Sequence, residues 1–334
     1  MPLQMTRHEG LAFLSGHPAT QCCNPAIQHE HNMSQNNAGT FPVLQMMNEV
    51  AQQDYHAATL YVIATPIGNV GDISLRALHV LSLVDAVACE DTRNTSHLLK
   101  RYGLSKSLIP AHQHNERAVA DELIRRLQAG ERVALVSDAG TPAVSDPGAR
   151  IVDAVRMAGL RIMPLPGASA SITALSASGL VSDRFYFVGF LPSSAGQRNT
   201  ALAELRGQNA TLIFYEAPHR IVDTVKAIAS AFEPTRQVVI ARELTKLFEC
   251  IHRCALQEAE SWLISDPNNI KGEFVLLLEG APINENTIDV EVDRILEILL
   301  AECPVSQAAS LTAKITGKKK NGIYQRALDM KNCP

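Results

Sequence analysis

The sequence predicts an α/β protein: two successive α/β lobes with a small helical module behind them. Three observations lead there. Short apolar runs alternate with amphipathic segments from Thr59 onward, the order of a chain that threads a mostly parallel sheet between helices. The apolar runs empty into turns rich in Gly, Pro and Asp, and from Ile288 to the end only helical periodicity remains.

The elements follow in order. Residues 1–58 are read as a disordered leader, rich in Gln, Asn and His up to about His56, or as an over-extended start with Met46 or Met47 as alternative initiators. "TLYVIA" (Thr59 to Ala64) is a strand, "TPIGNVGD" a turn, and "ISLRALHVLSLV" a helix capped by Asp72. "DAVACE" is the next strand. Two helices follow, one stopped by Gly103, the other capped by Asn115 and stopped by Gly130. "RVALV" is a buried strand that opens into "SDAGTPAVSDPG" (Ser137 to Gly148), with Asp146 as the cap of the helix from Ala149. "LRIMPLPG" takes the chain out of the first sheet through two prolines, ending a first lobe at 59–165. A second lobe, 166–283, has strands in "RFYFVGF", "ATLIFYE", "QVVIARE" and "EFVLLLEG", with a helix entered through Pro218 after the second of them. Residues 284–334 form a helix-turn-helix-like basic module: a helix opened by Pro304, a stop at Gly317, Lys318, Lys319 and Lys320 in a row, and a last helix carrying Tyr324 and Arg326.

Composition narrows the function classes. A chain of 334 residues with 46% hydrophobic and 19% charged residues can bury a sizeable core. Its net charge of −4 gives no global sign of nucleic-acid binding, so an RNA partner requires a local basic patch, and the tail supplies one. Seven Cys without a CxxC pair, no signal peptide and no long apolar span point to a reducing cytoplasm and no membrane. "CIHRC" (Cys250 to Cys254) lacks the paired spacings of zinc modules, and no metal is expected.

Five loops after strands carry the chemistry: "TPIGN", "EDTR", "SDAGTPAVSDPG", "GFLPSS" and "YEAPHR". The longest offers free main-chain groups at Ala139 to Thr141 and the hydroxyls of Ser137, Thr141 and Ser145, suited to an adenine edge, a ribose or a carboxylate. No GxxxxGK[ST], GxGxxG or GxSxG motif occurs, which argues against Walker NTPases, ordinary dinucleotide folds and α/β-hydrolases. Glu90, Asp91 and Arg93 crowd the end of one apolar strand, and Glu216, Glu243 and Lys246 stand at or beyond others; these are the candidates to accept a proton or orient a hydroxyl. Arg93, Arg220 and Arg242 are candidates to hold phosphates.

"LYVIATPIGNVGDISLRAL", "ACEDTR", "LVSDAGTPAVSDPG", "PLPGASASITALSASGL", "GFLP", "FYEAPHR", "ARELTK" and "KGEF", in this order, resemble the tetrapyrrole-methylase superfamily, specifically its branch acting on small-subunit ribosomal RNA. The resemblance runs from about Thr59 to the C-terminus. It implies two α/β lobes with S-adenosylmethionine in the cleft between them, a homodimer, and methylation of the 2′-oxygen of a cytidine in the decoding region of 16S rRNA, free or in the assembled small subunit. Pro66, Gly68, Ala139, Gly140, Thr141, Pro142, Ser145, Ser169, Ala170 and Leu191 are implied to line the cofactor site. The chain departs from the pattern at Phe248 to Glu258, where the family usually has a His at the place of Phe248 and a Gly near Cys254. Competing readings are a methylase of a tetrapyrrole or another small substrate on the same fold, against which the basic tail argues, and a non-catalytic ribosome-associated binding protein.

Overall fold

The computed structural model describes residues 43–282 and 285–332, with side chains described outside 285–291 and 332. Two compact units divide the chain: one takes residues up to Ala168 together with Thr245–Cys250, the other Ser169–Leu244 and everything from Ile251.

In the first unit five strands, β1 (Thr59–Ile63), β2 (Ala86–Cys89), β3 (Ser107–Pro110), β4 (Arg132–Val136) and β5 (Arg161–Leu165), pair in the order β3-β2-β4-β1-β5. Every pairing is parallel. Alternate residues of these strands face opposite ways. Tyr61, Ile63, Val87, Cys89, Ala134 and Val136 pack with the helix α2 (Leu75–Leu83) and with Leu99 of α3 (Thr92–Arg101). Leu60, Ala86, Ala88, Val133 and Leu135 pack on the other face with α4 (Glu116–Gln128) and α5 (Ala149–Met157). Helices on both faces explain why these strands read as unbroken apolar runs.

Several local expectations change. Of the expected leader, residues 1–42 lie outside the described residues, but Val43–Ala51 is a helix, α1, and Tyr55 is buried among Tyr61, Val80 and their neighbours. Tyr55 is tied in through its hydroxyl to the Val50 carbonyl and through its own carbonyl to Arg132 Nε. The helix α2 is capped by Ser74, not Asp72: Asp72 ends a short 3-10 turn, and Ile73 is extended between the two. Asn115 precedes α4 without capping it, because its amide is engaged backward by the His112 N–H and the Pro110 carbonyl. The strand β3, absent from the sequence reading, is short and only partly buried. The segment expected to leave the sheet through prolines is instead β5, paired along its whole length with β1. It tolerates Pro164 because it is an edge strand with one side free of ladder bonds.

The second unit holds β6 (Phe185–Phe190), β7 (Thr211–Glu216), β8 (Gln237–Arg242), β9 (Cys250–Ala255) and β10 (Phe274–Leu278) in the order β6-β7-β10-β8-β9. This sheet is mixed: β6 and β7 are parallel, while β10 runs antiparallel to both β7 and β8. The all-buried run "FVLLL" sits in its centre. The segment "CIHRCA", weighed in the sequence as a metal site and for its departure from the family pattern but not read as a strand, is a strand at the sheet's edge, and His252 stacks flat on Trp262 at 4.1 Å. The helix expected through Pro218 begins later, as α8 (Ile221–Ala231), after a turn that includes Pro218 and His219.

The tail forms α10 (Glu285–Glu302), α11 (Val305–Thr316) and α12 (Lys320–Asn332) around its own core of Val292, Leu296, Ala308, Ala309, Ile323 and Ala327. Pro304 opens α11 and Gly317 closes it with φ +70°, as expected from sequence.

Candidate functional site

In the first sheet the chain leaves β2 toward β3 at one edge and leaves β4 toward β5 at the other, although β2 and β4 are neighbours. Adjacent parallel strands whose connections diverge leave a crevice beyond their carboxyl ends, where open α/β sheets bind ligands. The segments at that place are Glu90 to Arg93 and Ser137 to Gly148.

The long loop is stitched to its neighbours by main-chain bonds. Thr65 and Gly140 exchange both N–H···O=C bonds, each 2.9 Å, and the Thr65 hydroxyl donates to the Ser137 carbonyl. The Thr141 hydroxyl donates to the carbonyl of Ala168, and Ser137 Oγ donates back to the Gly140 carbonyl. Gly140 has φ +79°, where a side chain is strained, and a Cβ there would stand 3.4 Å from Ile67 and 3.7 Å from the Ala168 carbonyl. Gly167 allows the close approach of the loop after β5, since a Cβ there would lie 2.8 Å from that of Ala64. Pro66 and Pro142 are buried, whereas Gly68, Ala139 and Ser145 are exposed. Ala143 and Ser145 both hold positive φ, uncommon for residues with a Cβ.

Four carboxylates gather here. Asp91 is the N-cap of α3, its Oδ1 accepting from the N–H groups of Arg93 and Asn94. Asp138 accepts the Asp91 N–H and the Asn94 side-chain amide. Glu90 is raised above its ordinary value by burial and then by the charges of Asp138 and Asp91, with His112 opposing. Asp146 is raised from 3.8 to about 6 by burial and then by Glu90, with a hydrogen bond from Ser137 working the other way. The expected cap role of Asp146 is not what forms. The N-cap of α5 is Gly148, and its N–H is accepted at 2.7 Å by Oε1 of Glu116, the first residue of α4.

The other candidates lie elsewhere. Glu216 has a fully buried side chain in the second unit, accepting from its neighbour's N–H at Ala217 and from the Thr224 hydroxyl and pairing with Arg220 Nε at 3.3 Å. Arg220 also donates to the Leu191 carbonyl at 2.6 Å, and the Leu191 side chain is in the core. Glu243 has φ +51°, and its Oε1 accepts the Glu273 N–H. Gly272 lies so close to it that a Cβ would fall 2.4 Å from Glu243 Cγ. Arg242 is half-buried, Arg93 exposed, and Lys246 lies in the Thr245–Cys250 segment of the first unit, where Asn69 N–H donates to the Thr245 hydroxyl. Ser169 and Ala170 begin α6 (Ala170–Ala177), and the N–H of Ser171 donates to the Tyr215 hydroxyl. The structure thus joins Glu90 and Asp91 to the long loop and draws Glu216, Arg220 and Leu191 into one cluster of the second unit.

Sequence reasoning missed Asp138 and Glu116 and misassigned Asp146. The signal for Asp138 and Asp146 was their position in the loop after the central strand. None existed for Glu116, whose role depends on the packing of α4 beside α5. Among the described residues no group of His, Cys, Asp and Glu has the arrangement of a metal site, and no helix is long and apolar enough to cross a membrane.

A parallel first sheet with its loops gathered at a switch point, followed by a mixed second sheet, is the architecture of a methylase class, and residues 59–260 match the family model of tetrapyrrole (corrin/porphyrin) methylases. Residues 286–331 match the model of the RsmI C-terminal HTH domain. The chain is 49% identical over 274 residues to ribosomal RNA small subunit methyltransferase I of Pseudomonas aeruginosa, covering 81% of this chain and 97% of the relative. It is 46% identical over 283 residues to the protein of that name from Escherichia coli O157:H7, covering 85% and 99%. Among solved structures it shares its fold with the methyltransferase CobJ, at 19% identity and a TM-score of 0.50 over 67% of this chain and 93% of that one. The chain therefore belongs to the tetrapyrrole methylases and, within them, to the ribosomal RNA small subunit methyltransferase I family.

Proposed function

We propose that this chain is an enzyme that transfers the methyl group of S-adenosylmethionine to the 2′-oxygen of a cytidine in the decoding region of small-subunit rRNA, acting in the cytoplasm as a homodimer. The observation that carries the reading is the similarity at 46–49% identity across both the methylase region and the helical tail. A methylase whose substrate is a small tetrapyrrole does not require an appended basic helical tail.

The residues of the first unit suit the cofactor. When bound, S-adenosylmethionine supplies an electrophilic methyl group on a cationic sulfonium. Gly140 and its main-chain neighbours present backbone without side-chain bulk, and Pro66, Gly68, Ala139, Thr141, Pro142 and Ser145 are the proposed contacts around it. The carboxylates of Glu90, Asp138 and Asp146 make the region negative, which favours a cation over a neutral thioether. Ser169, Ala170 and Leu191 complete the proposed set; since the Leu191 side chain is in the core and its carbonyl is bound by Arg220, its neighbourhood is fixed by the second unit's own packing.

For the reaction, alignment of the ribose hydroxyl is the main requirement, with a nearby group to take its proton. Of the original candidates Glu90 is the proposed proton acceptor, because burial and the charges of Asp138 and Asp91 raise its affinity for a proton. Asp91 already caps a helix, Glu216 is sealed in the core, and Glu243 holds a main-chain N–H, so these three act through structure. Arg93 and Lys246 are proposed to hold or orient the RNA, as is Arg242. The test is incubation of the full chain with labelled S-adenosylmethionine and three acceptors: naked small-subunit rRNA, small ribosomal subunits and a tetrapyrrole precursor. Label in RNA is expected. Label in the tetrapyrrole alone, or in none of the three, would overturn the reading.

A further inference from the structure

The loop from Ser137 to Gly148 ends where α5 begins, and a helix start leaves N–H groups that need acceptors. The usual solution is a side chain of the residue before the helix, and Gly148 has none. The N–H of Gly148 itself, the residue before the helix, is taken by an acceptor from another helix. Glu116 lies 32 residues earlier, is only 7% exposed, and places Oε1 2.7 Å from the Gly148 nitrogen. Its Oε2 is 3.8 Å from Nε of the exposed Arg150. Glu116 is itself held by the turn before α4, where Asn115 bridges the Pro110 carbonyl and the His112 N–H. Gly148 cannot be exchanged for a residue carrying its own cap: its φ is +125°, and a Cβ would stand 3.1 Å from Leu135 Cδ2.

We infer that Glu116 is a positioning residue for the cofactor: by accepting the Gly148 N–H from the neighbouring helix, it fixes the end of the long loop where α5 begins. The inference rests on the reading of this loop as the cofactor's. Glu116 touches no substrate; it acts through the backbone of Gly148. Without it, the loop is expected to sample more conformations, so cofactor affinity suffers from the cost of ordering it at binding.

The test is calorimetric binding of S-adenosylmethionine to the full-length protein and three variants, with KM and kcat measured alongside. Glu116→Asp keeps the charge and shortens the reach, and Glu116→Ala removes the acceptor; each is expected to weaken binding about tenfold, the scale of one hydrogen bond to a charged group. KM for the cofactor should rise by a similar factor, with kcat nearly unchanged. Glu116→Gln retains an oxygen at the same reach and should restore most of the affinity. Wild-type affinity in a folded Glu116→Asp, or a Glu116→Gln as weak as Glu116→Asp, would overturn the inference; this pair decides the matter even if Glu116→Ala does not fold. Gly140→Val serves as the control for the loop itself. If it weakens binding while the Glu116 variants do not, the loop reading stands and Glu116 has no part in it; if it also binds normally, the loop is not the cofactor's and the inference falls with that reading.

Discussion

Thr65 and Gly140 lie 75 residues apart and are joined by two reciprocal main-chain hydrogen bonds, so the loop after β1 and the loop after β4 form one backbone surface. Gly140→Val forces a branched side chain into φ +79° beside Ile67 and the Ala168 carbonyl. S-adenosylmethionine affinity should fall by more than about tenfold, while far-ultraviolet circular dichroism stays that of the folded protein. Unchanged affinity would remove this surface from the cofactor site.

The cap at α3 makes a second prediction. Asp91→Asn retains a good N-cap and should change stability by only a few tenths of a kcal/mol, whereas Asp91→Ala should cost about 1 kcal/mol because the N–H groups of Arg93 and Asn94 lose their acceptor. Chemical denaturation measures both. Should Asp91→Asn abolish turnover without touching stability or cofactor binding, the carboxylate has a chemical role beyond the cap.

The pH dependence has a definite sign. Asp146 holds its proton to about 6 in the folded chain against 3.8 when free, so between those values the folded state binds more protons than the unfolded state. Its contribution therefore makes stability fall as the pH rises through that window and level off above it. Over the same window the developing charge should strengthen binding of the cationic S-adenosylmethionine more than that of neutral S-adenosylhomocysteine. Asp146→Asn should flatten both dependences. An affinity ratio that does not vary between pH 5 and 7 would show that the Asp146 charge does not reach the ligand.

How much of this was legible beforehand depended on whether the signal was local. The strands around Tyr61, Ala134 and Phe214 and the stops at Gly103, Gly130 and Gly317 were readable because apolar runs and positive-φ glycines act within a few residues. The edge strand at Pro164 was misread because a proline is compatible with pairing on one side only, and which side is free is a property of the sheet. The caps at Asp72, Asn115 and Asp146 were plausible by type, but Ser74, two residues after Asp72, caps α2, the amide of Asn115 is engaged backward, and Gly148 is the residue before α5, its N–H taken by Glu116 from another helix. α1 escaped notice because its nine residues follow a polar stretch that drew the whole region into one class.

The tail gives a further prediction. Changing Lys318, Lys319 and Lys320 to Ala should weaken RNA binding and lower its salt dependence by about one unit of slope, or slightly less, per lost phosphate contact. Arg326, read from sequence as part of the same basic cluster, is paired with Asp293 of α10 through two nitrogens, one of them at 2.7 Å. Arg326→Met should therefore loosen the three-helix module, seen as earlier thermal unfolding, instead of subtracting one phosphate contact from the salt slope. Deleting residues from Ile288 onward should leave S-adenosylmethionine binding intact while RNA methylation falls; full activity of the truncated chain would show that the tail is not the RNA-binding element.

The central claim is methyl transfer to a ribose of small-subunit rRNA. The most direct measurement is nucleoside mass analysis of rRNA from small subunits incubated with the protein and isotopically labelled S-adenosylmethionine. The account predicts label in 2′-O-methylcytidine, mapped to a position in the decoding region and lost when Gly140 is changed to Val. Label on a base, on a different nucleotide, or absent from RNA while S-adenosylmethionine is demonstrably bound, would contradict it.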